Sequence, residues 1–354
     1  MRAVRLQKES EYIEKFVRLP ADLYPPRERT SEPETERALL QGEHVLSHYF
    51  ETEGFLVLDD NNRAQARCMV TLYPGEEQAY IGFFECADDA GVSELLFAAA
   101  HDFCAENGRK TVVGPVDSSF WIKYRLKTDR FGTPYTGEPY NKPYYERLFA
   151  KAGYETAETY YSTRYRAIEP DFRNEKYEKR LRDFEDRGCI IKSPEKSEYS
   201  AAMSQVYDMI DSLYADFPTF RHITRDEFLT LYAPMEKIID LSMVLMAYDG
   251  GEPVGFFVCL PDFGADVCGG MTPGKLMRII RTKHAPERYI LLYLGAKKEY
   301  AGLGSALVQV IEERLKTNKA ASIGALVKAG KVTGGYFPEL AGGRMHYILL
   351  KKEL

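Results

Sequence analysis

The sequence predicts an α/β protein of two tandem domains, each a mixed central sheet flanked by helices. Three observations lead there. The chain has 354 residues, natural for two domains of roughly 150 to 180 residues each. Its apolar residues switch repeatedly between strand-like and helix-like spacing. The order strand, two helices, hairpin, strand, turn, helix, strand also occurs twice with different residues, the pattern of a duplicated architecture.

In the first half, Ala3 to Leu6 reads as a strand, and Tyr12, Ile13, Phe16 and Val17 give a helix over Ser10 to Leu19 that Pro20, Pro25 and Pro26 end. A helix follows around Glu34 to Leu40. Phe55 to Leu58 and Ala66 to Leu72 flank the turn Asp59-Asp60-Asn61-Asn62 as a hairpin. Ala79 to Glu85 is the third strand, Val92 to Glu106 a helix stopped by Gly108, and Thr111 to Val113 a short buried strand. The second half opens on Cys189-Ile190-Ile191 and has helices near Glu198 to Leu213 and Arg225 to Ile238. Ser242 to Tyr248 and Val254 to Leu260 form a hairpin around Asp249-Gly250-Gly251-Glu252, a strong turn signal. Then come the strand Tyr289 to Gly295, the helix Ser305 to Lys316, the strand Ser322 to Lys328, a helical turn near Thr333 to Leu340 and a last strand, Met345 to Leu350. The charged segment Asn174 to Arg187 bridges the halves. The expected division is an N-terminal domain over 1–170, a helical linker over 171–188 and a C-terminal domain over 189–354.

With 45% hydrophobic and 28% charged residues the composition is globular, and the net charge of -6 argues against a nucleic-acid or anionic-membrane surface. The basic group Lys123, Arg125, Lys127 and Arg130 reads as a solvated loop. No apolar run approaches the roughly 20 residues of a membrane span, and the N-terminus lacks a signal-peptide core, so a cytoplasmic location is expected. Six scattered cysteines without a C-x-x-C pair read as reduced, mostly core thiols. His44 and His48 share an i,i+4 spacing but have no third ligand, and no metal is expected.

Chemistry concentrates where the strand Tyr289 to Gly295 runs through Gly302-Leu303-Gly304 into a helix. First-turn N–H groups lack intrahelical partners, the macrodipole favours negative charge, and glycines let an anion approach the backbone. This segment, Lys298 to Leu307, resembles the Q/R-x-x-G-x-G/A acyl-CoA signature of the GNAT acetyltransferase superfamily, and Asp249 to Gly255 is similar to its hairpin turn. The Q/R place holds Glu299, a departure. The first half resembles uncharacterised bacterial GNAT-like proteins over about Phe55 to Tyr154, through Ile81-Gly82-Phe83-Phe84-Glu85, Val113-Gly114-Pro115 and Asn141-Lys142-Pro143-Tyr144-Tyr145. Its turn, Cys86 to Gly91, carries Asp88 and Asp89 where phosphates would sit, so this half is expected to be degenerate for CoA, one of the aspartates capping the helix instead.

The resemblance implies N-acyl transfer from acetyl-CoA or another acyl-CoA, as co-substrate, to a small-molecule or peptide amine. It places the cofactor on Leu294, Gly295, Ala296, Tyr300, Ala301, Gly302, Leu303, Gly304, Ser305 and Ala306, and makes Tyr336 the acid that serves the leaving thiolate. The base is open among Glu252, Asp262, Asp266 and a water relay. The segment Asp262 to Arg288 reads as a substrate-side loop or extra helix, and His222 stands near a possible substrate region. Two other readings remain: a peptidoglycan-type aminoacyltransferase using charged tRNA, and a non-catalytic binder of acyl-CoA or another metabolite.

Overall fold

The computed structural model describes residues 1–6, 11–214, 217, 219–330 and 335–354. They form two compact units. One is Met1–Tyr160 with Gly264–Thr272 and Met345–Leu354, the other Tyr161–Phe263 with Pro273–Arg344.

The first unit begins with β1 (Arg2–Arg5), α1 (Tyr12–Leu23) and α2 (Pro33–Gln41), followed by β2 (Glu51–Leu58), β3 (Ala64–Leu72) and β4 (Gln78–Cys86). After α3 (Ala90–Glu106) come β5 (Thr111–Gly114), the short strands β6 (Val116–Asp117), β7 (Lys123–Tyr124) and β8 (Leu126–Lys127), α4 (Tyr145–Lys151) and β9 (Glu155–Tyr165), whose last residues belong to the other unit. Strands β1 to β4 pair antiparallel in order, and β4 pairs parallel with β5. The chain's C-terminal strand (β15, Ala341–Glu353) completes this sheet: Leu350 to Glu353 pair antiparallel with β5, so the last ten residues fall with the N-terminal unit. Helix α1 does not stop at Pro20. It runs to Leu23, because a proline N that donates nothing is tolerated near a helix end, and Tyr24 N bonds back to Pro20 O at 3.0 Å. The core packs α3 and α4 on the sheet, with Phe84 against Phe97 and Phe149 at 5.1 and 4.8 Å between ring centroids.

The second unit repeats the plan. Its strands are β10 (Ile190–Lys192), β11 (Val244–Asp249), β12 (Glu252–Pro261), β13 (Arg288–Ala296) and β14 (Ala321–Lys328), the first four antiparallel in order and the last parallel to β13. Its helices are α5 (Glu175–Glu185), α6 (Tyr199–Leu213), α7 (Arg225–Tyr232), α8 (Pro273–His284) and α9 (Leu303–Asn318). Gly250 and Gly251 both take positive φ (57° and 88°), as the two-residue turn joining β11 and β12 requires. Helix α5 lies in the segment expected as a linker, yet it packs along α9 and buries Phe184 in this unit's core. A short helical turn, Pro338–Leu340, covers part of the one expected near Thr333 to Leu340, of which Thr333 and Gly334 lie outside the described residues. None of the six cysteines is in a disulfide among the described residues, and five are buried.

Candidate functional site

Each unit opens its sheet at the same place. Strand β13 pairs with β14 only from Arg288↔Ala321 to Leu291↔Gly324, although both strands continue for several residues. At the parting point β13 bulges, its register against β12 shifting between Val258 and Cys259. In the first unit β4 pairs with β5 only as far as Tyr80↔Val113, and its bulge against β3 lies between Arg67 and Met69. A bulge leaves a residue without ladder partners and turns the strand, which opens the sheet there; in the first unit the Val116–Asp117 backbone lies against Gly82 at this point.

In the second unit the glycine turn follows directly on this cleft. Gly302 is the N-cap of α9 at φ 96°, a conformation that disfavours any L side chain, and no side chain caps the helix. The N–H groups of Ala301, Gly302 and Gly304 make no hydrogen bond among the described residues, whereas Leu303 N donates to Tyr300 O at 3.0 Å. Gly304 has ordinary φ, and a Cβ there would meet only Leu294 Cδ2 at 3.6 Å, an ordinary contact. Packing does not demand glycine at that position. Glycine in a helix costs about 1 kcal/mol relative to alanine, and packing does not offset that cost here.

The other residues expected around this site divide. Leu303 and Ala306 are fully buried and their N–H groups bond to Tyr300 O and Gly302 O, so they only support the turn, while Ser305 and Leu294 are half-buried. Gly295 packs against Phe256 and Leu213, since an added Cβ would lie 2.5 and 2.8 Å from their side chains. Ala296 ends β13, and Tyr300 is tied down by its hydroxyl donating to Asp249 Oδ2 at 2.8 Å. Glu299 is exposed. A cation that sequence reasoning missed sits beside the turn: the Arg180 side chain of α5 comes within 3.3 Å of where a Gly302 Cβ would be. Reading α5 as a linker hid it. Only the period-3.6 placement of Phe184 could have signalled that this helix packs.

Tyr336 lies in the core of this unit, 9% exposed, its ring 5.8 Å from Phe257 and against Gly324. Its hydroxyl has no hydrogen-bond partner among the described residues. Burial raises its pKa above that of an ordinary phenol, so it stays protonated at any working pH. Tyr214 and Tyr165 are nearby, and Tyr293, on the diverging part of β13, meets Tyr232 hydroxyl to hydroxyl at 3.2 Å. The candidate bases are engaged elsewhere. Asp262 is held by Arg288 at 2.6 Å, Glu252 faces Lys297 at 3.4 Å, and His222 meets Asp211 at 2.6 Å. Asp266 falls in the other unit.

The first unit differs at both features. Asp89 Oδ1 accepts from Gly91 N and Val92 N at 2.8 and 3.2 Å, so the N-terminus of α3 is filled by the protein's own carboxylate. Its cleft region instead holds a cavity bordered by buried charges. Arg67 pairs with Glu36 (2.5 Å), Lys123 with Asp117 (3.5 Å), and Glu85 Oε2 accepts from Tyr24 and Tyr145 at 2.8 and 2.6 Å. Asp117 Oδ1 also takes the N–H of Phe83, which has positive φ (49°) at the bulge. The basic group expected in a solvated loop is largely engaged here. Lys127 is buried against Glu138 at 2.5 Å, and Arg125 stacks on Tyr124 and Tyr160. The signal available in the sequence was a charge inside an apolar strand: Arg67 between Ala66 and Cys68, Glu85 between Phe84 and Cys86.

No family model matches the chain. Among solved structures, a tandem GNAT protein from the clavulanic acid biosynthesis pathway superposes with a TM-score of 0.54 at 10% identity, over 99% of this chain and 98% of that one. A GCN5-related N-acetyltransferase from Sphaerobacter thermophilus gives 0.50 at 12% identity, covering 99% and 96%. A probable N-acyltransferase from Enterococcus faecalis V583 gives 0.50 at 13%, covering 99% and 72%. The fold is therefore that of the GNAT proteins. More specifically, the chain is a tandem GNAT-fold protein. In sequence it is similar to a bacterial ceramide synthase of Caulobacter vibrioides (strain NA1000 / CB15N), 25% identical over 233 residues, or 64% of this chain. The match spans 60% of the length of that curated relative.

Proposed function

We propose that the protein is an acyl-CoA-dependent N-acyltransferase whose donor site is the β13 cleft and the glycine turn of the C-terminal unit. The observation that carries this reading is the start of α9, with free N–H groups at Ala301, Gly302 and Gly304, an unneeded glycine, and Arg180 alongside. Oriented N–H donors, a helix dipole and a guanidinium together suit a pyrophosphate. Arg180 supplies from α5 a cation that Glu299 does not supply from the turn.

The neutral amine of the acceptor attacks the thioester carbonyl, the C–N bond forms, the C–S bond breaks, and the CoA thiolate leaves. Backbone groups freed at the bulge are suited to orient the thioester. Tyr336, held protonated, donates a hydrogen bond to the departing sulfur. With Asp262 and Glu252 facing Arg288 and Lys297, a water relay takes the amine proton.

The relative's name extends the acyl group to long chains, because a ceramide synthase makes a fatty amide. Helix α8 fits that extension. Leu276, Met277 and Ile280 are exposed on a helix with Lys275, Arg278, Arg281 and Lys283 and no carboxylate, a pattern that suits a lipid interface. Titration with CoA, acetyl-CoA and palmitoyl-CoA, followed by thiol release with a panel of amines, tests the reading. Binding followed by amine-dependent thiol release is expected. Binding without thiol release for any amine would instead make the protein a binder.

A further inference from the structure

We propose that the N-terminal unit holds a second ligand site, a pocket for an organic ammonium group centred on Glu85. The proposal does not rest on the CoA reading, since every residue in it belongs to the first unit. The cavity is small, about 50 Å³, room for a small group. Its charges nearly cancel in pairs: Glu36 with Arg67, Asp117 with Lys123, and Glu28 opposite in sign to Arg125. Glu85 remains.

Both hydrogen bonds to Glu85 come from neutral phenols and reach the same oxygen, Oε2. The other oxygen, Oε1, has no partner among the described residues. The nearest cations, Arg67 and Lys123, are each committed to another carboxylate. Arg67 and Lys123 act on Glu85 without bonding to it, and burial outweighs them, raising the Glu85 pKa above the usual range. An incoming ammonium supplies a direct partner for Oε1. The rings of Tyr24, Tyr124 and Tyr140 border the cavity with apolar surface for the alkyl part of an amine, their cation contacts going to Lys142, Arg125 and Lys127. Two hydroxyls placed on one carboxylate oxygen hold the other in a fixed direction, which is what selective recognition of a small cation needs.

Calorimetric titration of the full chain with butylamine and with 1-butanol, its near-isostere, tests the charge requirement directly at neutral pH. Butylamine is expected to bind and butanol not. Glu85→Gln keeps an oxygen for both tyrosines to donate to and removes only the charge, so amine affinity is expected to fall at least tenfold. CoA titrated into the same variant is expected to bind as it does to the wild type, which separates failure of this proposal from failure of the donor-site reading. Absence of amine binding to the wild type, equal binding of the alcohol, or unchanged amine affinity in a folded Glu85→Gln protein would each overturn the site. The amine-against-alcohol comparison on the wild type holds even if the variant does not fold.

Discussion

Replacing Gly304 by alanine separates what the glycine turn does for the fold from what it does for a ligand. The added Cβ meets Leu294 Cδ2 at 3.6 Å and nothing closer, so the methyl fits without displacing a neighbour. Alanine also lowers the entropy cost of helix formation by about 0.5 to 1 kcal/mol. On a unit of this size such a gain raises Tm by roughly 1 to 4 °C. The same methyl stands at the first turn of α9, beside the free N–H groups, where it holds a pyrophosphate off the backbone. A tenfold loss of CoA affinity, about 1.4 kcal/mol, is the least expected. Thermal melts and calorimetry on one preparation read both effects. A variant that melts higher and binds CoA as tightly as the wild type would refute the cradle, and one that melts markedly lower would refute the packing argument.

Arg180→Ala is expected to weaken CoA severalfold with little change in melting, and the loss should shrink in high salt because Arg180 is about half exposed; equal loss at all salt concentrations would contradict a charge contact. Tyr336→Phe is expected to lower kcat with little change in CoA affinity, and the loss should be the same across pH because the hydroxyl stays protonated. A loss that disappears at high pH would show that the phenol titrates after all. Glu85 has a raised folded-state pKa, so as pH climbs from about 4.3 toward that value the native state keeps a proton the unfolded chain has released, and stability falls. Urea melts of Glu85→Gln should therefore match wild type near pH 4 and exceed it at neutral pH, by about 1.4 kcal/mol for each unit of raising. Greater stability of the wild type at neutral pH would reverse the sign.

The order of elements was legible because local signals agree with the fold. The Asp249 to Glu252 turn, the apolar alternation of β12 and the glycine stop after α3 need no distant partner to be read. Three features depended on distant partners and were not legible. Asn174 to Arg187 has one deeply buried residue in a highly charged helix, so its packing on α9, and with it Arg180, did not stand out. The last ten residues join the N-terminal unit through pairing with β5, which no local pattern announces. Lys123 and Lys127 looked solvated because their carboxylate partners, Asp117 and Glu138, come together with them only through the β6–β7 pairing and the folded loop after β8. The glycine turn was readable as backbone geometry. The role proposed for it draws on a side chain from a helix more than a hundred residues away in sequence.

The central claim is that the start of α9 holds the phosphates of an acyl-CoA. Calorimetric titration of the full chain with CoA, repeated with the Gly304→Ala variant, addresses it most directly. The account predicts one CoA per chain for the wild type and at least tenfold weaker binding for the variant; no binding to the wild type, or equal binding to both, would contradict it.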